Sequence, residues 1–183
     1  MLNVILDGFP AEYEGYLIRT DFRIGMQISQ AMDDVNLAAP EKMTVALELL
    51  YGNGIPHDRE LAEDGLRWFM RGGIEEDEAT PPDGKPPVYS FEQDNRLIYT
   101  AFLARYGIDL TRDKLHWFRF LAMLSDLGDC SLSEIMNIRA TDTAKLSGEQ
   151  QKHYAALKER YRIRPQLSDA EKAAIADFES QLD

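Results

Sequence analysis

Three histidines, one cysteine and several adjacent carboxylates are the residues here that could carry covalent or acid–base chemistry. His57, His116 and His153 are far apart and none stands in a metal-ligand spacing such as His-Glu-x-x-His. Cys130 has no second thiol to complete a zinc pair. It follows Gly128-Asp129 just ahead of a helix start, where amide dipoles could lower its pKa, but no particular histidine is implicated as its base. An inert small residue is the heavier reading. His116, beside Trp117, reads as a partly buried ring with one hydrogen bond. Asp33-Asp34, Glu63-Asp64 and the run Glu75-Glu76-Asp77-Glu78 could serve acid–base work or hold Mg²⁺ in a small metal-dependent hydrolase. Among 32 acids, such pairs arise by chance. The nucleophile elbow, the phosphate loop and the dinucleotide turn are all missing; Gly52-Asn53-Gly54 follows a helical pattern and reads as a helix stop. The expectation is a protein that is not an enzyme, with no cofactor and no metal.

The aromatic residues offer a different chemistry. Trp68-Phe69 and His116-Trp117-Phe118 form the two most aromatic helical patches, and Tyr99, Phe102 and Tyr106 lie on the helix between them. Rings at helical spacing usually pack a core, but Trp and Tyr also anchor partners in grooves. Trp68, Tyr99, Phe102, Trp117 and Phe118 are therefore candidates for core or groove, the two roles not separated by the sequence.

Positioning these rings falls to a mostly α fold of about seven helices in a compact bundle, with a small N-terminal β-hairpin. Val4-Ile5-Leu6, ended by Asp7-Gly8, and the run Tyr13 to Thr20, with Tyr16 and Ile18 on one face, predict the hairpin. Asp21 caps a helix carrying Phe22, Ile24, Ile28, Met32 and Val35. Pro40 opens a second helix, stopped at Gly52, and a third runs from about Asp58 to Arg71. Ser90-Phe91-Glu92-Gln93, Ser131 to Glu134, Ser147 to Gln150 and Ser168 to Glu171 have the capping-box pattern, and Thr111 reads as the cap of a further helix. Between the halves, residues 74–89 combine the four-acid run with Pro81, Pro82, Pro86 and Pro87, a flexible extended loop. The domain reading is one helical domain over 1–163 and an amphipathic helix in 164–183, separated by Pro165. That last helix has one thin apolar stripe, with Ile175, Phe178 and Leu182 nominated as an intermolecular contact.

Charge narrows the partners. The chain has 183 residues and a net charge of −12. This argues against a general nucleic-acid binder, whose affinity comes from Lys and Arg displacing counterions, and against docking on an anionic membrane. The imbalance sits at the front: residues 1–89 hold 17 acids and 7 bases, whereas 145–164 is locally basic at +4. Opposite ends of that kind could attract between copies, so a homo-oligomer is possible. The lone cysteine suits a reducing compartment; no apolar run reaches the ~20 residues of a membrane span, and the start lacks a basic signal region. A cytosolic protein is expected.

A longer pattern carries a resemblance. Phe91-Glu92-Gln93-Asp94-Asn95-Arg96-Leu97-Ile98-Tyr99 runs on through Phe102, Tyr106 and Ile108-Asp109-Leu110. Then come Leu115-His116-Trp117-Phe118-Arg119-Phe120 and Glu134-Ile135-Met136-Asn137-Ile138-Arg139. With Ile55-Pro56-His57-Asp58 and Trp68-Phe69 upstream, these segments resemble the bacteriophage gene-product-fifteen family of tailed phages and prophages of Gram-positive bacteria. The likeness covers about residues 1–163; the helix at 168–182 lies past it. It implies virion morphogenesis in the cytoplasm of the bacterial host. The expected role is a tail assembly chaperone that binds the phage tape measure protein, or other tail proteins, non-covalently. A structural tail or connector subunit is the alternative.

Overall fold

The computed structural model describes residues 4–74 and 86–180. Residues 75–85, where most of the acidic and proline-rich loop falls, and Leu182 lie outside the described residues. The described chain holds a two-strand hairpin, eight α-helices and one 3-10 turn.

The hairpin pairs β1 (Glu12–Tyr13) with β2 (Tyr16–Leu17), antiparallel, around a two-residue turn at Glu14-Gly15 where φ is +47° and +81°. Positive φ at both positions matches the twist of the flanking strands. This corrects the expectation that Val4-Ile5-Leu6 is a strand: those residues sit in turns, with Ile5 90% exposed. Pro10, which has no N–H to give to a ladder, separates them from β1. The expected facing of the second run holds, with Ile18 buried and Leu17 exposed.

Beyond β2 the backbone joins two distant segments. Arg19 N–H donates to the Leu50 carbonyl at 2.8 Å, Phe22 N–H to Leu115 at 2.9 Å, and Trp117 N–H to Thr20 at 2.7 Å. Helix α1 (Phe22–Asp33) starts there, its first turn capped by the Asp21 carboxylate, which accepts from Arg23 N–H. Phe22, Gly25 and Ile28 face inward, but the stripe does not hold to its end: Met32 and Val35 are exposed. Helix α2 (Ala39–Tyr51) packs on α1, and its Glu41 carboxylate reaches back to the Ala38 N–H at 2.8 Å. Helix α3 (Arg59–Met70), capped by Asp58, packs on α2.

The second half is α4 (Asn95–Tyr106), α5 (Trp117–Ser125), α6 (Ser131–Ala140), the 3-10 turn Thr143–Lys145, α7 (Gly148–Arg160) and α8 (Asp169–Ser180). Two predicted starts move. Thr111 does not cap a helix: its N–H and hydroxyl both donate to Asp109, while Asp109 N–H donates to Asp113, folding 109–113 into a side-chain-closed turn. Residues 115–117 are then drawn into the backbone exchange with α1, so α5 begins only after it. At 90, the Ser90 hydroxyl accepts Gln93 N–H at 3.3 Å as expected, but the regular helix waits until Asn95, because Gln93 and Asp94 turn to other partners. Ser168 and Glu171 do form the full reciprocal box of α8.

Helix α1 contacts α2 and α5; α4 and α7 both contact α6. The core running through them is aromatic. Phe120, 0% exposed, stacks on Phe22 and Phe102, each with centroids 4.9 Å apart, and on Trp117 at 5.6 Å. Rings of this size remove large apolar areas from water.

Candidate partner-binding surfaces

The eight nominated residues separate by depth. Phe102, Trp117 and Phe118 are all under 5% exposed, so they are core and no partner reaches them without unfolding the domain. Trp68 and Tyr99 are half-buried, at the rims of two different surfaces. Ile175 and Phe178 are exposed on α8, and Leu182 is outside the described residues.

Close backbone approach permits the core, and three glycines make it. A Cβ built on Gly25 of α1 stands 2.3 Å from the Trp117 indole, far inside contact distance. Gly65 would place one 2.0 Å from the Tyr51 hydroxyl. Gly73, at φ +81°, would place one 2.6 Å from the Phe118 ring. Tyr51, whose hydroxyl lies against Gly65 as the Tyr13 ring does, has its phenol pKa pushed up to about 12 by burial, with Tyr13 adding to it. Residues aligned by type alone gave no signal for these platforms; a glycine inside an otherwise good helix pattern was the available hint.

The first surface is a ladder of rings. Tyr13 lies 5.0 Å from Trp68, Trp68 5.1 Å from Phe118, Phe118 4.8 Å from His116, and His116 stacks 4.9 Å from Phe9. Its members from the N-terminal segment and α3 are partly open to solvent, and Ile74, directly after Gly73, is 70% exposed. His116 ties the ladder together. Its Nδ1 accepts Phe118 N–H at 3.1 Å and thereby caps α5, so Nε2 carries the hydrogen that faces the Pro10 carbonyl at 2.9 Å. Both ring nitrogens are used, one more than expected. Burial holds the imidazole below its ordinary pKa, with the Pro10 carbonyl pulling the other way.

The second surface is an open groove of about 390 Å³ between α1 and α4, with Leu110 and Thr111 also lining it. Phe22, Met26, Ile98 and Tyr99 line it, with Arg23 and Arg96 also on it. Arg23 is held by Asp21 at 3.2 Å and by the Leu110 and Asp113 carbonyls. Arg96 is exposed and forms no ion pair among the described residues.

One polar feature escaped the sequence reading. Arg139 of α6 grips Asp94 with two parallel bonds of 2.6 and 3.0 Å, side chains 10% and 5% exposed. Its remaining donors reach the Tyr161 carbonyl at 2.6 Å and the Val88 carbonyl at 3.0 Å, while Asp94 also accepts Ser90 N–H. One guanidinium thus joins the entry to α4, the end of α6, the end of α7 and the irregular segment at Val88. Asp94 and Arg139 are 45 residues apart, and in a sequence a buried pair at that separation cannot be told from two surface charges.

The nominated chemistry disperses. Glu63 accepts Arg59 Nε at 2.7 Å and Asp64 pairs with Arg67, side-by-side bridges along α3. Asp34 accepts Asn36 N–H. The Cys130 thiol is beside the Ser133 hydroxyl at 3.2 Å, at the cap position of α6. Among the described residues no three His, Cys, Asp or Glu side chains converge as metal ligands, and no helix is long and apolar enough to cross a membrane.

Comparison with known proteins gives one match. A family model described as Bacteriophage Gp15 protein matches residues 5–163. No curated protein and no solved structure matches.

Proposed function

The chain belongs to the Bacteriophage Gp15 protein family, and from that premise we propose that it works in phage tail morphogenesis as an assembly chaperone. In this reading it binds the tape measure protein, in the host cytoplasm, by contact alone, with no bond made or broken.

The observation that carries the proposal is two half-open ring pairs, Tyr13 on Trp68 and Phe9 on His116, joined beneath by buried Phe118, with exposed Ile74 directly after the Gly73 that abuts the Phe118 ring. A tape measure is a very long helical chain whose apolar stripes aggregate when bare. Flat, half-open rings held rigidly by a core beneath them offer such a stripe a large contact at little entropic cost. From Ile74 the sequence runs directly into Glu75-Glu76-Asp77-Glu78. Those acids favour basic residues flanking the stripe. The net charge of −12 would keep coated complexes apart.

Co-expression with the tape measure protein of the same phage tests this. The tape measure should stay in the soluble fraction with the intact chain and fall into the pellet with a Trp68→Ala/Ile74→Ser variant whose melting is near that of the parent. A tape measure equally soluble without this chain ends the proposal. Presence of the chain in purified particles at fixed copy number would move the assignment to a structural subunit.

A further inference from the structure

We propose that α8 of one copy seats in the α1–α4 groove of a second copy, making a reciprocal dimer. This goes beyond the chaperone reading and uses different surfaces.

Two apolar surfaces are left open by the fold. In α8 every described side chain is exposed, Ile175 at 45% and Phe178 at 62%. In the groove, Phe22 and Ile98 form a buried floor under half-buried Met26 and Tyr99. The volume of about 390 Å³ has room for a phenyl ring and a branched aliphatic side chain. Residues i and i+3 of a helix project from one side, so Ile175 and Phe178 enter together.

Charge selects the occupant. Residues 168–180 contain four acids, Asp169, Glu171, Asp177 and Glu179, against the single base Lys172. Of the two bases on the groove, Arg23 is already held by Asp21, whereas Arg96 is exposed and forms no ion pair among the described residues; Arg112, directly after Thr111, pairs with Asp109. An acidic amphipathic helix can present a carboxylate to Arg96, which a basic one would repel. A copy does not fill its own groove in this structure, because α8 departs from the opposite end of α1. Its Asp169 N–H is held by Asn36, just past the last residues of that helix.

Area argues for reciprocity. Two large side chains from one helix bury far less than the ~1,200 Å² at which stable interfaces begin. Two-fold pairing places each α8 in the other copy's groove and doubles the contact without requiring any new surface. The dimer should therefore be weak and concentration-dependent.

Sedimentation of the full chain over a wide concentration range tests the association. A monomer–dimer equilibrium is expected. Phe178→Asp on α8 and Met26→Asp in the groove should each raise its midpoint at least about tenfold, and Arg96→Glu should raise it less. Circular dichroism melts identify any variant that has lost its fold. Arg96→Glu, at an exposed position, keeps the test valid if Met26→Asp unfolds.

Direct contact is read from two proteins, both carrying Cys130→Ser. One has Met26→Cys and the other Phe178→Cys. Mixed and oxidised, they should form a 26–178 disulfide between chains that competes with the symmetric products. A monomer at every concentration would overturn the proposal. So would a dimer indifferent to Phe178→Asp, or a mixture with no 26–178 cross-link. If the groove instead captures a helix of the tape measure while the free chain stays monomeric, the proposal fails and the chaperone reading stands.

Discussion

The body of the molecule, up to about Ile163, and the arm that follows it are held by opposite means. In the body, rings stack on rings and rest on glycines, and a buried Arg139–Asp94 pair links four separate segments. In the arm, the contacts are polar and exposed. The Gln93 side chain accepts Arg164 N–H at 3.0 Å and donates to the Arg164 carbonyl at 2.7 Å, as a neighbouring strand would. Gln166 donates to Glu92, and Asn36 holds Asp169. The family match ends at residue 163, where the means of attachment changes. The body's residues determine one another, so few can be altered singly. The arm is fastened to a finished surface, so its residues can change with less cost to the body.

The sharpest way to break this contrast is at Arg139. Arg139→Leu leaves the Asp94 carboxylate 5% exposed and uncompensated, and also frees the Tyr161 and Val88 carbonyls. The expected loss is about 3–5 kcal/mol by urea unfolding at neutral pH. Adding Asp94→Leu should recover part of that loss, since no buried charge then remains unpaired, but not the two carbonyl bonds. A loss below about 1 kcal/mol for the single variant would mean the pair is not the fastening described here.

Gly25→Ala comes next. Alanine is favoured over glycine in a helix by about 1 kcal/mol, so propensity alone forecasts a more stable protein. The built Cβ at 2.3 Å from the Trp117 indole decides the sign the other way. Neither α1 nor the indole can move without disturbing Phe120 and Phe69, which stack on that indole. A net destabilisation of about 1–3 kcal/mol is expected, read as a fall in the urea midpoint. A rise in the midpoint would show that the core has slack.

Local signals placed α1, α2, α3, α6, α7 and α8 within a few residues, although the capping boxes expected at Ser131 and Ser147 do not form: Cys130 stands at the cap of α6, and Ser147 makes no side-chain capping bond. The same signals put the start of α5 at Thr111, where a local Asp109–Thr111 turn competes with the helix and a non-local exchange of Leu115 and Trp117 with Phe22 and Thr20 settles the outcome. The motifs that carry the family resemblance proved to be packing and fastening residues. Trp117 and Phe120 build the core, His116 caps α5, the Tyr106 hydroxyl donates to the Met123 and Asp126 carbonyls, and Arg139 grips Asp94. Ring type could not separate Trp117 from Trp68, because depth depends on which helix comes to lie across the ring. The arm's nominated residues were readable as an apolar stripe and nothing more, and Ile175 and Phe178 stay exposed in the fold.

A smaller effect separates the regions by pH. The His116 imidazole accepts from Phe118 N–H, so a proton arriving at Nδ1 would confront a donor. Burial holds its folded pKa below the ordinary value of 6.5. The unfolded chain therefore binds the proton more readily, and stability rises with pH in that window. The contribution is fully present above the unfolded pKa near 6.5 and is lost as pH falls from there through the folded value. His116→Asn keeps a capping acceptor but does not titrate in this range. Urea midpoints measured from pH 7.5 to 5 should fall more steeply for the parent than for the variant. Parallel curves would assign the slope to carboxylates instead.

The least disruptive change is Gln93→Ala, which removes both bonds to Arg164 from an exposed position. If the arm is fastened to the body and not built into it, global stability should change by less than about 0.5 kcal/mol. Local opening is another matter. Segment 163–168 is held at its start by this one amide, so losing it raises the fraction of time the segment is free and protease can reach it. Thermolysin cutting ahead of Ile163 and Leu167 should accelerate several-fold while the body remains intact. A variant that loses as much stability as Arg139→Leu, with no selective cleavage, would show that the arm folds with the body as one cooperative unit. The exposed face of α8 would then be part of that unit and not a separate fitting carried on it.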